Sequence, residues 1–245
     1  MPVCSSVMSE SDGFEVYPFN LDWYNACVSP PFRLTSYAAN SLAILVLNTP
    51  DMFTQTFKPW LIDRYRSNDM QSLADPIDQF CRFKMDQLKQ ALISKYPSVS
   101  TVDVIHDFDL TPTRRPRILM PTCGHVTGAC YYYQPSEPVQ PTHSGDQKFL
   151  GLSLHPKYGG WFAFRAVLIL PDCQVDPTLT RTEPVKLLPD DEIMPALRLF
   201  NEHWQDGRYR DVIKAERRYD AEQIEYFATL PKNRWTLIEK WMREL

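Results

Sequence analysis

The sequence predicts an α+β fold in which a largely antiparallel sheet is flanked by helices. Segments rich in branched and aromatic residues crowd the middle of the chain, whereas helical periodicities sit around residues 73–96 and near the C-terminus. Strands and helices do not alternate regularly, and no Gly-x-Gly-x-x-Gly turn follows a strand, which argues against a doubly wound parallel sheet.

In chain order, Leu42–Leu47 is the first expected strand, an uninterrupted apolar run suited to a sheet interior. The clearest helix is Leu73–Tyr96. Asp75 caps it, Pro76 takes the first helical position, and Ile77, Phe80, Cys81, Met85, Leu88 and Leu92 recur at helical spacing until Pro97 ends it. Further strands are expected at Val102–Phe108, Arg117–Met120, Val126–Tyr133, Phe149–Leu154 and Trp161–Leu170. The last two flank a short loop with Gly159 and Gly160, so they are expected to pair as an antiparallel hairpin. Pro135–Gln147 and Pro171–Asp190 read as long loops, which are uncommon unless they cover something. Three C-terminal helices follow. Asp191–Trp204 has acids in its first turn, the next starts on Asp220 and Gln223 as a capping box and stops before Pro231, and Pro231–Leu245 carries Leu237, Ile238 and Trp241 on one face.

The 245 residues fit one large domain, expected over 13–245 after a flexible N-terminal tail over 1–12. A hydrophobic share of 44% and a charged share of 23% are ordinary for a soluble protein. The net charge of −4 argues against broad binding of nucleic acid or anionic membrane, both of which need a basic surface. No apolar run is long enough to span a bilayer, and the first dozen residues lack the basic and apolar regions of a signal peptide. The six cysteines include no close-spaced pair, so they read as small buried hydrophobes of a reducing, cytoplasmic compartment rather than as disulfide or zinc sites.

The stretch from Arg115 to Arg165 is the candidate site. Tyr131, Tyr132 and Tyr133 occupy successive strand positions, so Tyr132 faces away from its neighbours, and a packed strand alone would account for them. Gln134 follows directly, however, and Phe162, Phe164 and Arg165 are expected on a neighbouring strand; such a surface suits a large, flat ligand. Arg165 ends an aromatic strand, where a charge needs a partner. Arg210 and Arg234 stand beside helix ends, and guanidinium groups converging on one place would clamp a small polyanion. His125 and Gly128 make a His-x-x-Gly string of the kind that places histidine under cobalt in some corrinoid enzymes. That pattern also requires an aspartate where this chain has Cys123, so a hydrogen-bonded strand histidine is the expectation. His106, His143, His155 and His203 lack metal-ligand spacing, and neither a nucleophile–His–acid order nor a phosphate-binding loop is present.

With Gly13 to Phe19, Trp23 to Asn25, Asp107, Arg114 to Leu119, His125 to Ala129, Tyr131 to Gln134, His155 to Arg165, His203 with Trp204, Tyr209 to Asp211 and Tyr226 with Phe227, the sequence resembles the cobalamin C family of cytosolic cobalamin-processing proteins. The likeness runs from about Gly13 to Arg234. It implies a flavin-nitroreductase-like fold that binds cobalamin base-off, removes the alkyl group of alkylcobalamins with glutathione, and reductively decyanates cyanocobalamin with FAD or FMN, NADP being the associated nucleotide. By position, the implied cobalamin contacts are Asp107, Ile118, Leu119, Met120, Pro121, Tyr132, Tyr133, Gln134, Leu150 and Phe164, and the implied glutathione residues are Arg165, Arg210 and Arg234. Met120, Pro121 and Leu150 depart from the smaller or more polar residues familiar in the family. The resemblance further implies a downstream cobalamin-trafficking protein of the cobalamin D type and the methionine synthase machinery as partners, no resident metal, and a monomer or ligand-dependent homodimer. A flavin reductase without cobalamin chemistry and a non-catalytic cobalamin chaperone are the competing readings.

Overall fold

The computed structural model describes residues 8–67, 75–135 and 149–243. Strand β1 (Phe14–Asn20) runs directly into helix α1 (Leu21–Cys27), whose first turn is capped by the Asn20 side chain. β2 (Ser41–Asn48) follows, then a single π-helical turn (Phe53–Phe57) that continues into α2 (Lys58–Arg66). After α3 (Pro76–Lys95) and β3 (Asp103–His106) come the short helix α4 (Met120–Val126), β4 (Tyr131–Tyr133), β5 (Leu152–Leu154) and the long β6 (Ala163–Gln174). Helices α5 (Asp190–Glu202), α6 (Ala221–Ala228) and α7 (Arg234–Arg243) complete the order.

The expected α+β class is present, built on a four-stranded antiparallel sheet in the order β1-β2-β6-β3. β2 and β6 lie inside it, which is why both are near-continuous apolar runs with both faces covered. Ala166, Leu168 and Leu170 of β6 join a core with α2, α3, α6 and α7, while Val167 and Ile169 join a second core with α1 and α4. A third core lies between the ribbon β4–β5 and α5, around Leu152, Leu154, Leu188 and Leu197.

Helix α3 forms as its sequence predicts. Asp75 accepts a hydrogen bond from the Ile77 N–H, Pro76 starts the helix, and the six apolar residues of the periodic stripe are buried; residues 73 and 74 of the expected span lie outside the described residues. Asp220 caps α6 as expected, its side chain accepting the Gln223 N–H. The stretch 1–12, expected as a flexible tail, packs from Met8 onward: Met8 is buried, and Ser9 and Asp12 form a reciprocal cap on a 3-10 turn.

Several expectations are corrected. Arg117–Met120 is not a strand, because Pro121 needs no N–H in the first turn of a helix and α4 starts at Met120. Val126 ends that helix, and Gly128, with φ of 76°, supplies the left-handed residue that follows it, so only Tyr131–Tyr133 remains of the expected strand Val126–Tyr133. β5 pairs with β4, Tyr132 opposite Ser153, and not with β6; the Gly159 turn closes only on His155. β6 extends to Gln174, which shortens the expected loop 171–190 to 175–189. The loop does cover something: Thr182 rests against Gly128, and the Leu187 and Leu188 N–H groups donate to the Tyr133 hydroxyl at 2.7 and 2.9 Å. The expected loop Pro135–Gln147 lies, after Pro135, outside the described residues. β1 has no counterpart among the expected strands, and Pro18 is tolerated there because β1 is an edge.

Gly13 precedes β1 with φ of 80°, and a Cβ there would sit 2.1 Å from the Met52 backbone nitrogen. Gly13→Ala combines a left-handed alanine with a clash against backbone, so it should destabilise by about 2–4 kcal/mol. A lower urea midpoint at unchanged slope checks this.

Candidate active site

The site is organised by a break in strand pairing. Along β2 and β6, Val46 faces Ala166 but Leu47 faces Phe164, so two residues of β6, Phe164 and Arg165, are set against one of β2. Such a bulge re-aims side chains locally. Phe164 packs with the second core, its ring against Gly124 of α4, where a Cβ would lie 2.7 Å from the ring. Arg165 lies on the side of Cys81 and Asp78 of α3. Adjacent residues of one strand thus serve an aromatic surface and a cationic one.

Arg165 is 5% exposed. Its Nε donates to Asn48 Oδ1 at 2.5 Å, Nη1 lies 3.9 Å from Asp107 Oδ2, and Nη2 is buried with no partner. Its guanidinium carbon is 6.0 Å from the centre of the Phe227 ring. Arg234 stands 5.8 Å from the same ring and 4.6 Å from Tyr226, while its Nη1 pairs with Asp75 at 2.6 Å. Phe227 packs on Tyr219 at 5.5 Å, and the Tyr219 ring carries Arg210 at 5.2 Å. Arg210 is also held over Tyr209 and Trp161, and its Nη1 donates to the Gly160 carbonyl. The structure therefore links the three expected arginines through the Phe227–Tyr219 pair, Arg165 and Arg234 at one ring and Arg210 at the other.

Acids balance this charge. Burial raises the pKa of Asp107, with Arg165 acting against it. Burial, then the neighbouring Asp75 and Asp107, push Asp78 up to about 6 despite Arg165 and Arg234. Burial also pushes the Cys81 thiol up to about 12, so it stays protonated beside Arg165.

The remaining predicted residues gather around α4 and the ribbon. Ile118 and Met120 are buried, Leu119 and Pro121 half-buried, and the Leu119 N–H donates to the Tyr24 hydroxyl at 3.0 Å, which fixes the start of α4. The Tyr132 ring covers Gly151, where a Cβ would be 2.4 Å from it. Gln134 is exposed, and Leu150 is 66% exposed although its backbone is pinned from both sides by Asn201 of α5. Tyr133 faces inward. Its hydroxyl is the anchor for Leu187 and Leu188, so any ligand contact from this residue has to come through the backbone. His125 is hydrogen-bonded as expected, but from helix α4 rather than a strand: Nδ1 accepts the Tyr132 N–H at 3.2 Å, and burial lowers its pKa. Among the described residues, no group of three or more His, Cys, Asp or Glu side chains is arranged to hold a metal ion, and no helix is long and apolar enough to cross a membrane.

Sequence reasoning missed Asn48, Asp78 and Tyr219, and had Phe227 only as part of the family resemblance, with no role. Nothing distinguishes Tyr219 and Phe227 from core aromatics in the sequence, and Asn48 reads as the polar end of a strand. Asp75 was legible as a cap but not as the partner of Arg234.

Fold and site together define a class: an α+β protein in which three arginines are set on one network of aromatic rings beside a patch of buried and half-buried aromatic and aliphatic residues. Within that class, the chain belongs to the methylmalonic aciduria and homocystinuria type C (MMACHC) family, whose model matches residues 13–238. A cyanocobalamin reductase / alkylcobalamin dealkylase of Gallus gallus is 42% identical over 227 residues, covering 92% of this chain and 90% of that protein. The Homo sapiens protein of the same name is 39% identical over 227 residues, covering 92% and 76%. The crystal structure of a Caenorhabditis elegans B12-trafficking protein, CblC, described as a human MMACHC homologue, matches with a TM-score of 0.89 at 35% identity, covering 100% of this chain and 96% of that one.

The Asp75–Arg234 pair generates a stability test. Asp75→Asn keeps a side chain able to cap α3 but leaves a buried guanidinium without its counter-charge, so it should cost about 2–4 kcal/mol. Urea denaturation of the variant beside Asp75→Ala, which also loses the cap, separates the two contributions.

Proposed function

We propose that this chain processes cobalamin as its named relatives do, dealkylating alkylcobalamins and reductively decyanating cyanocobalamin on a flavin-nitroreductase-like fold. The observation that carries the reading is the adjacency of Phe164 and Arg165, which sets an aromatic surface and a buried, partly unpartnered guanidinium side by side. Cobalamin, bound base-off as substrate, lies against Ile118, Leu119, Met120, Pro121, Tyr132, Leu150 and Phe164, with Asp107, Gln134 and the Tyr133 backbone meeting its amides. The carboxylates of glutathione are held by Arg165, Arg210 and Arg234 through charge-assisted hydrogen bonds.

In dealkylation the glutathione sulfur, as thiolate, attacks the carbon bound to cobalt. A sulfur–carbon bond forms, the cobalt–carbon bond breaks, and its electron pair stays on cobalt, giving cob(I)alamin and the S-alkyl thioether. The arginines favour the thiolate, and holding both reactants in line supplies an orientation advantage that reaches about 7–11 kcal/mol in well-aligned systems. In decyanation a reduced flavin, FAD or FMN, would give one electron to cobalt, and the cobalt–cyanide bond breaks with cyanide leaving, so that cob(II)alamin forms. The aromatic faces exclude water from the reacting side of the corrin. The described cysteines are all free, which supports a reducing, cytoplasmic setting.

The absorbance spectrum of the protein with methylcobalamin, before and after glutathione, tests the reading. A base-off shift on mixing followed by a cob(I) or cob(II) spectrum after thiol supports it. A base-off shift with no change after thiol makes the chain a chaperone, and no shift on mixing removes the cobalamin reading altogether.

Arg165→Gln should lower kcat/KM for glutathione-dependent dealkylation about 10- to 100-fold, the equivalent of losing one charged hydrogen-bonding group, with the base-off shift retained. Stopped-flow absorbance checks it. Asp78 gives a pH dependence of defined sign. Its carboxyl ionises near 6, so as pH rises from 5 to 7 a negative charge appears beside Arg165 and Arg234 and glutathione binding weakens, by about two- to fivefold for a partly screened charge. Asp78→Asn should bind as tightly at pH 7 as the natural chain does at pH 5, measured as the KM for glutathione.

A further inference from the structure

A buried polar cluster joins β1 to the turn that follows β5. The Glu15 carboxylate lies at its centre. Oε1 accepts the Tyr158 hydroxyl at 2.8 Å, while Oε2 accepts the Tyr17 hydroxyl and stands 3.1 Å from His155 Nε2. His155 Nδ1 accepts the Lys157 N–H at 3.2 Å, which leaves Nε2 as the nitrogen that donates to Glu15. The imidazole, 2% exposed, stacks on the Tyr158 ring at 4.5 Å. Lys157 reaches Glu10 at 2.9 Å and Glu15 at 4.0 Å, and Arg217 covers the outer face of Tyr158. Burial alone would raise the Glu15 pKa, yet the bonds from His155, Tyr17 and Tyr158 hold it down at about 2, so the carboxylate is charged at every physiological pH.

The other side of this turn touches Arg210. The His155 and Gly159 backbones exchange hydrogen bonds at 2.9 Å, the Gly160 N–H donates to the Arg210 carbonyl at 3.0 Å, and the Arg210 guanidinium donates back to the Gly160 carbonyl. Both glycines are required by this approach, since a Cβ on Gly159 would lie 2.6 Å from the Arg210 carbonyl oxygen and one on Gly160 would lie 2.7 Å from Arg210 Cα. The turn is therefore gripped by a carboxylate on one side and bonded to Arg210 on the other. A buried network of this kind adds little net stability compared with apolar packing, but it fixes one geometry.

We propose that Glu15, acting through His155, Tyr158 and the Gly159–Gly160 backbone, is a positioning residue for Arg210 and sets how well Arg210 receives the anionic thiol co-substrate. The inference rests on the reading of Arg210 as a glutathione ligand and goes beyond it by assigning the distant carboxylate that holds it.

The experiment is methylcobalamin dealkylation measured across glutathione concentration for the natural chain, Glu15→Gln, Arg210→Gln and the double variant. Glu15→Gln should raise the KM for glutathione about 5- to 20-fold, change kcat by less than about twofold, and leave flavin-driven decyanation of cyanocobalamin unaltered. The double variant should be no worse than Arg210→Gln alone, because both changes act through one group. Tyr158→Phe, which removes a single hydroxyl, carries the same test with a smaller rise if Glu15→Gln fails to fold. An unchanged KM in a folded Glu15→Gln or Tyr158→Phe overturns the inference, as does an equal loss of decyanation or strict additivity in the double variant. If Arg210→Gln itself leaves the KM unchanged, the reading of Arg210 falls and this inference with it; if only Arg210→Gln raises it, the positioning role alone falls.

Discussion

The two-for-one pairing of Phe164 and Arg165 against Leu47 is the constraint on which the rest of the site depends. In a regular strand, residues two apart share a face, so Phe164 would lie with Ala166 on the α3 side. The bulge breaks that rule once. It puts Phe164 against α4, lets Ala166 return to the opposite core, and leaves Arg165 beside α3 with its Nε tied to Asn48. Asn48 is itself wholly buried at the end of β2, so the strand that pairs with the bulge also supplies the group that fixes the arginine. Backbone geometry and side-chain chemistry are joined at a single step of the ladder.

Around that step the protein carries positive charge in surroundings that are mostly aromatic. Arg234 lies over Tyr226, and Arg210 over Tyr209, Trp161 and Tyr219. A guanidinium is planar and weakly hydrated, so it tolerates ring faces that would strip a lysine ammonium of its water at greater cost. Asp75, Asp78 and Asp107 supply the compensating charge, and burial, reinforced by the Asp75 and Asp107 charges, raises the Asp78 pKa. The cluster nevertheless keeps one incompletely satisfied donor, the buried Nη2 of Arg165.

The sequence carried the fold class and the long elements because their signals are redundant. In α3 the Asp75–Pro76 start and the apolar stripe agree, and in β2 and β6 the apolar runs are long enough to require a sheet interior. In the misread region, Arg117 to Leu154, the described elements are three to seven residues long, where periodicity has no room to declare itself. Pro121 and Gly128 did mark a helix between them, but the branched and aromatic residues nearby outweighed them. Pairing was harder still, since alternation says that a strand has a face without saying which strand lies beside it. At the site, Arg165 was legible as a charge needing a partner, whereas its link to Arg210 and Arg234 runs through Phe227 and Tyr219, whose role exists only in three dimensions. The Tyr133 hydroxyl, expected near the ligand surface, ties down the 175–189 loop instead.

A bulge counts residues, and this has a consequence for how the gene can change. Most side chains of β6 sit in apolar surroundings that tolerate exchange for another residue of similar volume. The length of the strand between Ala163 and Leu170 has no such latitude. Losing Arg165 would restore the regular ladder but remove the cation, and losing any residue from Ala166 to Leu170 instead would turn the side chains between it and the bulge to the opposite face while the strand itself remained a good strand. Drift at this place is therefore open to substitution and closed to insertion or deletion, a restriction written by the hydrogen-bond register rather than by any single residue.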